Sequence, residues 1–337
     1  MLRIPYEQVK LTDDLKINAT DYYKENGVEC EIHYVCVDDE TWKQNIEERN
    51  KNFIDRDKLY GLIEGKKPSQ TEVDDILNKA LKLKGLDLYD VAALLRVEDG
   101  QQIHQIMECA KTVKEAIYGK RLVLFAPIYT GNVCMNNCTY CSFRKDNHLI
   151  KRKILTMQEI AEETSALLKQ GHKRALLICG ENNKNGTDYM VEAIRTTYGV
   201  RERGGKDYIR RINVELAPME VEDFARLKAE KIGTYVCFQE TYDQVKYSDF
   251  HPAGTPKADY LYRLTVMDRA MEGGVDDVGI GALFGLIDYR FEVLAMIEHA
   301  NHLERCFGCG PHTVSVPRME PAIGAPTAEN IPMPVRD

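Results

Sequence analysis

The sequence predicts an α/β fold: a TIM-type (β/α) barrel with six βα units visible of an expected eight, and an N-terminal helical extension before it. Three observations lead to this prediction. Residues 1–120 are charged and carry helical apolar spacing, whereas from Arg121 onward short apolar runs alternate with amphipathic stretches. The notable polar clusters follow these apolar runs directly, where barrels of this class place their active sites. We therefore expect an extension over residues 1–120 and a barrel core over residues 121–337 that stops after its sixth strand.

In the extension, apolar residues at three- and four-residue intervals predict helices over residues 72–84 and 100–118, and a further one within residues 51–65. Ser69, followed three residues later by Glu72, is a typical helix start.

In the barrel core, the alternation predicts parallel βαβ units. The predicted strands cover residues 122–128, 174–179, 212–216, 234–238, 277–282 and 313–316. The predicted helices between them cover residues 157–169, 189–198, 221–230, 259–271 and 289–306. A closed eight-stranded barrel needs two more units, so we expect either a three-quarter barrel or a shortened version of a longer enzyme.

Composition is typical of an intracellular enzyme. The 337 residues, 44% of them hydrophobic, are enough to bury a large core, and the net charge of -8 without a basic run argues against nucleic acid as a partner. No segment has the apolar length of a membrane span, and the N-terminus lacks the apolar core of a signal peptide. The ten cysteines are scattered rather than arranged as a disulfide framework. We expect a cytoplasmic protein that binds neither nucleic acid nor membranes.

Cys134, Cys138 and Cys141 form a CxxxCxxC motif directly after the first predicted strand. Thiolates are soft ligands suited to iron–sulfur clusters, and a 4Fe–4S cube normally takes four of them. Three thiolates leave one iron open to bind a small molecule. The motif thus predicts a 4Fe–4S cluster with a free coordination position.

Two other interpretations of the three cysteines remain open. Offsets of zero, four and seven trace one face of a helix, so they also fit small residues packed in a core. Against this, the intervening glycine, threonine and asparagines favour a loop. A structural zinc site is the second alternative, although it usually needs four protein ligands.

With Tyr140 just before the third cysteine, the motif resembles the signature of the radical S-adenosylmethionine (SAM) enzymes. In that superfamily, the open iron chelates the amino and carboxylate groups of SAM. The resemblance assigns cofactor binding to further residues at strand ends. Gly180 and Glu181 resemble the motif that takes the methionyl ammonium of SAM, although such a glutamate taken alone is more often solvated.

Three more positions complete the expected SAM site. Glu240 follows the fourth strand and offers a carboxylate for the ribose hydroxyls, and Gly281 in the fifth strand permits close approach of a ligand. Arg263 has the planar fork that suits the SAM carboxylate, although most arginines on helices face solvent.

For the substrate, the sequence offers an arginine beside a proline after the sixth strand. Arg318 is expected to hold the carboxylate of an amino acid, with Ser315 and Tyr129 near it. The alternative for Arg318 is a surface salt bridge.

Residues 122–326 resemble the tyrosine lyases of the radical SAM superfamily, and in particular their FeFe-hydrogenase maturase branch. The runs that carry this resemblance are residues 125–129, 137–144, 239–242, 251–252, 277–281 and 315–318, together with Lys257, Asp259 and Tyr260. The resemblance implies that SAM is cleaved to a 5′-deoxyadenosyl radical, which takes hydrogen from L-tyrosine. The Cα–Cβ bond then breaks to give p-cresol and dehydroglycine, the source of carbon monoxide and cyanide for the hydrogenase iron site.

The resemblance also implies a low-potential electron donor of the flavodoxin or ferredoxin type and contact with other hydrogenase maturases. A thiamine-pathway tyrosine lyase (2-iminoacetate synthase) and an inactive assembly partner remain alternatives, because these maturases carry a C-terminal domain with a second cluster that the sequence does not supply. Cys306 and Cys309 have metal-like CxxC spacing, but a lone pair lacks two ligands, so two ordinary thiols are the preferred interpretation.

Overall fold

Six parallel strands in chain order form the single sheet of this protein, as the computed structural model shows for residues 51–120 and 122–335. The first fifty residues of the predicted extension, Arg121 and the last two residues lie outside this range. The strands are β1 (Ala126–Gly131), β2 (Arg174–Cys179), β3 (Arg211–Glu215), β4 (Tyr235–Val236), β5 (Val278–Gly281) and β6 (Thr313–Ser315). The α/β class and the six predicted units are confirmed.

The described part of the extension is helical, as predicted. It contains α1 (Arg56–Ile63), α2 (Gln70–Ala80), α3 (Leu88–Leu95) and α4 (Gly100–Tyr118). Ser69 caps α2 in a reciprocal capping box with Glu72, which is the predicted start. Because Leu59 of α1 and Ala92 of α3 are buried in the same apolar core as the barrel residues, these helices pack on the barrel rather than forming a separate core.

Eight helices follow in the described barrel region: α5 (Met157–Lys169), α6 (Thr187–Gly199), α7 (Val221–Ala229), α8 (Gln244–Phe250), α9 (Tyr260–Leu264), α10 (Val266–Glu272), α11 (Tyr289–Phe307) and α12 (Pro326–Glu329). Two of them correct the predicted helix over 259–271, which breaks at Thr265. The Thr265 hydroxyl donates to the Leu261 carbonyl, a side-chain bond that competes with regular helix geometry. Helix α8 was not predicted; the carboxylate of Asp243 caps its start.

The first strand begins at Ala126 rather than Leu122, because pairing with β2 starts at Ala126 opposite Ala175. Residues 122–125 precede this register and are exposed despite being apolar. Within the described residues, β1 and β6 do not pair with each other, so the sheet is open. None of the described helices is both long and apolar enough to span a bilayer.

The register carries one row of side chains across the whole sheet. Tyr129 of β1 pairs with Ile178, and the row continues through Glu215 of β3, Val236, Gly279 and Thr313. Partners in a parallel sheet point to the same face, so Tyr129 and Glu215 share a face. That face carries the site described next.

Candidate active site

A cavity of about 480 Å³ opens at the carboxyl ends of the strands. Its size is typical of a cofactor or small-molecule site. Of the predicted residues, Tyr129, Cys134, Cys138, Tyr140, Cys141, Gly180, Glu181, Glu240 and Arg263 line it. The structure therefore brings most of the predicted residues together, at the end of the barrel where the sequence placed them.

The cysteine loop is held in a non-helical shape by one arginine. The Arg152 guanidinium donates to the carbonyl oxygens of Asn132 (2.7 Å), Phe143 (2.8 Å) and Asn147 (2.9 Å), and also to that of Arg144 (2.5 Å). Because one planar guanidinium group binds four backbone carbonyl oxygens of the cysteine loop, the loop is held in a single, non-helical conformation. The interpretation of the cysteines as a helical core face is therefore wrong.

The three thiols suit an iron–sulfur cluster better than a single ion. Cys138 is buried, whereas Cys134 and Cys141 are partly exposed at the cavity wall, and burial raises the pKa of Cys141 to about 11. Among the described residues, the one group with three ligand atoms all within 4.8 Å of one another lies elsewhere. Sulfur atoms on one tetrahedral zinc would be about 3.8 Å apart. The wider spacing of these thiols, all at one cavity, fits a larger inorganic group.

Gly180 lets the loop after β2 approach the cysteine loop closely. A Cβ atom at this position would lie 2.4 Å from the Val133 carbonyl oxygen and 3.1 Å from Cβ of Cys134. The Met135 amide also donates to the Glu181 carbonyl oxygen (2.7 Å). The predicted Gly180–Glu181 pair thus lies directly against the cysteines.

Tyr140 is buried and fixed by His251. The His251 Nδ1 atom lies 2.8 Å from the Tyr247 carbonyl oxygen, which only accepts hydrogen bonds, so Nδ1 carries the proton. Burial lowers the pKa of His251 to about 2, so the ring is neutral and Nε2 accepts from the Tyr140 hydroxyl at 2.8 Å. This fixes the aromatic ring immediately before the third cysteine.

Lys257 is a site residue whose role the sequence did not predict. Its Nζ lies 2.6 Å from Oε1 of Glu240, and the two side chains are only 11% and 13% exposed. The Lys257 amide donates to Oδ1 of Asn136 (2.8 Å), whose Nδ2 donates to Oε2 of Glu181 (2.5 Å). Asn136, in the cysteine loop, therefore links Glu181 directly, and Glu240 through Lys257, which are the two carboxylates predicted to bind SAM.

The backbone of Glu240 has a left-handed conformation, with φ of 70°. For a residue other than glycine this costs of order 1–3 kcal/mol and is found at functional sites that the surrounding structure holds in place. Asp243, three residues further on, helps to keep this loop in place. Its Oδ1 accepts a hydrogen bond from Arg56 Nε (2.9 Å), and its Oδ2 accepts one from the Tyr60 hydroxyl (2.8 Å), both from α1. The extension thus braces the loop that carries Glu240.

Glu215, also missed by sequence reasoning, lines the cavity floor. Burial, reinforced by the charge of Glu240, raises its pKa to about 7. A carboxyl group that titrates near neutral pH is suited to taking or giving a proton. The sequence placed Glu215 in the third predicted strand, but only the register of the sheet shows that its side chain lies on the same face as Tyr129.

Three predicted residues are not brought to the cavity wall. A Cβ at Gly281 would lie 2.6 Å from the Phe238 ring, so this glycine leaves room for the Phe238 side chain, and its contact with a ligand stays a prediction. Ser315 lies in the same register row as Gly281 but does not line the cavity, and the Arg318 side chain is exposed outside it. The substrate roles of Ser315, Arg318 and Tyr129 stay predictions.

This fold and this site define a radical SAM protein. The profile of the radical SAM superfamily matches residues 128–300, and the chain belongs to that superfamily. Its cofactors are a 4Fe–4S cluster and SAM, which the cavity and its thiols suit.

The 2-iminoacetate synthase of Salmonella typhimurium is 31% identical over 282 residues, which are 81% of this chain and 71% of that protein. A crystal structure of HydG, a maturase of the [FeFe]-hydrogenase, matches with a TM-score of 0.81 and 45% identity over 85% of this chain and 62% of that chain. The HydG structure from Carboxydothermus hydrogenoformans matches with a TM-score of 0.70 and 41% identity over 84% of this chain. The chain therefore spans 62% of the length of both HydG chains.

We predict that removing Glu181, Glu240 or Arg263 weakens SAM binding without loss of iron. Each side chain lines the cavity, and a charge-assisted hydrogen bond contributes about 1.5–3 kcal/mol, so the affinity should fall about ten- to hundredfold. Equilibrium binding of SAM to Glu181→Gln, Glu240→Gln and Arg263→Gln, with iron measured in parallel, checks this. Glu222→Gln is the matched control, because Glu222 is an exposed glutamate on α7 that does not line the cavity, and it should leave SAM binding unchanged. Unchanged affinity in all three variants would show that SAM binds elsewhere.

Proposed function

We propose that this chain is a radical SAM tyrosine lyase that cleaves the Cα–Cβ bond of L-tyrosine to p-cresol and dehydroglycine. The proposal is limited to this step, which the maturase and thiamine-pathway branches share. Delivery of carbon monoxide and cyanide to a hydrogenase, with a flavodoxin- or ferredoxin-type electron donor and other maturases as partners, is the further expectation from the HydG similarity.

One observation carries the proposal: a single cavity is lined both by the three cluster cysteines and by four ionisable side chains that are largely shielded from solvent. These groups are Glu215, Glu240, Lys257 and Arg263. A free amino acid brings both an ammonium and a carboxylate into a largely dry site, and each must be matched by charge. The similarity to a 2-iminoacetate synthase supports tyrosine as that amino acid.

The cluster and SAM together supply the radical that starts the reaction. The residues of the chain bind the substrate, orient it and transfer protons. Tyr140, held by His251, closes one wall beside Cys141, and the Lys257–Glu240 pair presents a fixed carboxylate. Glu215, whose pKa is raised to about 7 by burial, lines the same cavity and can exchange a proton with a bound ligand near neutral pH.

The test is direct: anaerobically reconstituted protein, SAM, L-tyrosine and a chemical reductant should give p-cresol in step with 5′-deoxyadenosine. Cleavage of SAM with tyrosine left intact would overturn the tyrosine assignment while leaving the radical SAM chemistry in place. Iron analysis should give about four irons per chain for the 4Fe–4S cube. Bound zinc without iron would exclude the enzyme altogether.

A substitution tests the predicted substrate role of Arg318. Arg318→Lys keeps the charge but loses the planar bidentate fork, so the variant should hold its cluster and SAM, make little p-cresol and cleave SAM unproductively. Product ratios measured by chromatography check this, with Arg174→Lys at the start of β2 as the control. Near-normal p-cresol from Arg318→Lys would remove Arg318 from the substrate site.

A further inference from the structure

The segment that follows the cluster cysteines is basic, although the chain as a whole is acidic. Residues 144–153 contain five lysines and arginines and one acidic residue, Asp146, whereas the whole chain has a net charge of -8. The acidic side chains nearest to this segment are already bound: Asn137 Nδ2 donates to Asp146 (2.6 Å), and Lys153 pairs with Glu159 (2.5 Å). An excess of positive charge therefore remains beside the cluster, and the proposed tyrosine chemistry does not use it.

Hydrogen bonds hold this segment against the cysteines. Asn132, two residues before Cys134, donates through Nδ2 to the carbonyl oxygen of Lys151 (2.8 Å). The Lys145 amide donates to the carbonyl oxygen of Asn136, between the first two cysteines (2.8 Å). The backbone of both lysines is thus fixed to the loop that carries the cluster ligands.

The side chains of these lysines face solvent. Lys145 and Lys151 are exposed, and neither forms an ion pair within the part of the chain that the structure describes. Lys184, in the loop after β2, is a third such lysine. Asn182 binds its amide through Oδ1 (2.8 Å) and donates through Nδ2 to the carbonyl oxygen of Val133 (2.9 Å), beside the first cysteine. None of the three lysines lines the cavity, so their charges lie on the outer side of the cysteine loop.

Two apolar side chains are exposed on the same loop. Met135, next to Cys134, is 36% exposed and Leu149 is 69% exposed, and neither lines the cavity. Apolar side chains surrounded by charged ones are typical of protein interfaces, in which the apolar contact is buried and the charged rim steers the partner. We call these five residues the basic loop face: Met135, Lys145, Leu149, Lys151 and Lys184.

We propose that the basic loop face docks an acidic flavodoxin-type protein that gives one electron to the cluster. The inference rests on the electron donor named with the proposed function and assigns that donor a binding surface. The donor is oxidised by one electron and the cluster is reduced by one, and no bond forms or breaks in this step. The exposed edge of a flavin ring is apolar, which suits contact with Met135 beside Cys134. Docking on this face leaves the cavity open to SAM and substrate.

The first arm of the test measures binding alone. Fluorescently labelled, oxidised flavodoxin is titrated with the cluster-loaded chain in the absence of SAM and tyrosine. Lys145→Glu/Lys151→Glu reverses two exposed charges, so the Kd should rise at least tenfold at low salt. The difference should shrink at about 1 M salt, where the Debye length is about 3 Å.

The matched control is Lys206→Glu/Lys231→Glu. These two lysines are also exposed, but they precede β3 and β4 and so lie at the opposite end of the strands from the cysteine loop. The control has the same net charge as Lys145→Glu/Lys151→Glu and should bind flavodoxin like the unaltered chain. An equal loss of affinity in both double variants would show that net charge, rather than the basic loop face, attracts the donor, and would overturn the proposal.

The second arm separates docking from the cluster itself. With SAM and limiting reduced flavodoxin, Lys145→Glu/Lys151→Glu should form 5′-deoxyadenosine at least tenfold more slowly than the unaltered chain. With dithionite, a small reductant that needs no docking surface, the two should react at similar rates. If the double variant loses iron, Lys184→Glu, in a separate loop, takes its place in both arms and should show a loss in the same direction.

Three results would overturn the proposal: unchanged flavodoxin affinity in the variants of the basic loop face, no binding of flavodoxin to the unaltered chain, or binding of an acidic ferredoxin in its place. Neither arm contains tyrosine. The outcome is therefore independent of whether the chain cleaves that amino acid.

Discussion

Replacement of any one of Cys134, Cys138 and Cys141 with Ala should abolish reductive cleavage of SAM. The three thiols lie on one loop at one cavity, and each removal takes a ligand from a cube that already has an open iron. Chromatographic measurement of 5′-deoxyadenosine from anaerobically reconstituted variants checks this, and each variant should fall to the level of the reductant alone.

The same cavity provides matched controls. Cys179 and Cys237 also line it, so Cys179→Ser and Cys237→Ser remove a thiol at similar depth without removing a predicted ligand. Both controls should retain their iron and cleave SAM. Full cleavage in any of the three Ala variants would contradict the assignment of the cluster ligands.

The second large effect is expected at Lys257. Lys257→Met leaves the Glu240 carboxylate buried without its partner, 13% exposed and electrostatically coupled to Glu215. Breaking a buried ion pair from one side costs about 3–5 kcal/mol, because the remaining charge is neither hydrated nor paired. We expect the free energy of unfolding to fall by about that amount in anaerobic urea titrations.

Lys246→Met is the control, because the Lys246–Asp249 pair is about half exposed and such pairs contribute only about 0–1 kcal/mol. The double variant Lys257→Met/Glu240→Gln removes the uncompensated charge and should recover part of the lost stability. A loss below about 1 kcal/mol in Lys257→Met would show that the pair is solvated rather than buried.

Elements with local start and stop signals could be predicted from the sequence almost to the residue. Helix α5 has the predicted bounds because Thr156 and Glu159 form a capping box before a regular apolar face. Strand β2 also has the predicted bounds, since it is a short apolar run ended by Cys179 and Gly180. Elements whose ends depend on tertiary contacts were predicted less well: β1 starts where β2 offers a partner, and α8 starts at a capping Asp243 held by distant residues.

The site divides in the same way. The cysteine loop and Gly180–Glu181 follow strands directly, so their position could be predicted from strand order. Glu215 and Lys257 could not, because their roles depend on register and on burial of charge rather than on a motif. Gly281 and Arg318 were placed at the site only because they lie at strand ends; in the structure the Phe238 ring fills the space over Gly281, and Arg318 does not line the cavity.

The contacts of Asp243 with α1 bear on how the chain folds during synthesis. Arg56 and Tyr60 are separated from Asp243 by 187 and 183 residues. At about 5–20 residues per second, their partner emerges from the ribosome on the order of ten to forty seconds after they do. Until then, the surface of α1 that packs on the barrel stays exposed. Forming the contact also closes a long loop between Arg56 and Asp243, which adds an entropic cost. Helix α1 can therefore brace the loop that carries Glu240 only after residue 243 has been made, when the first four strands have already been synthesised.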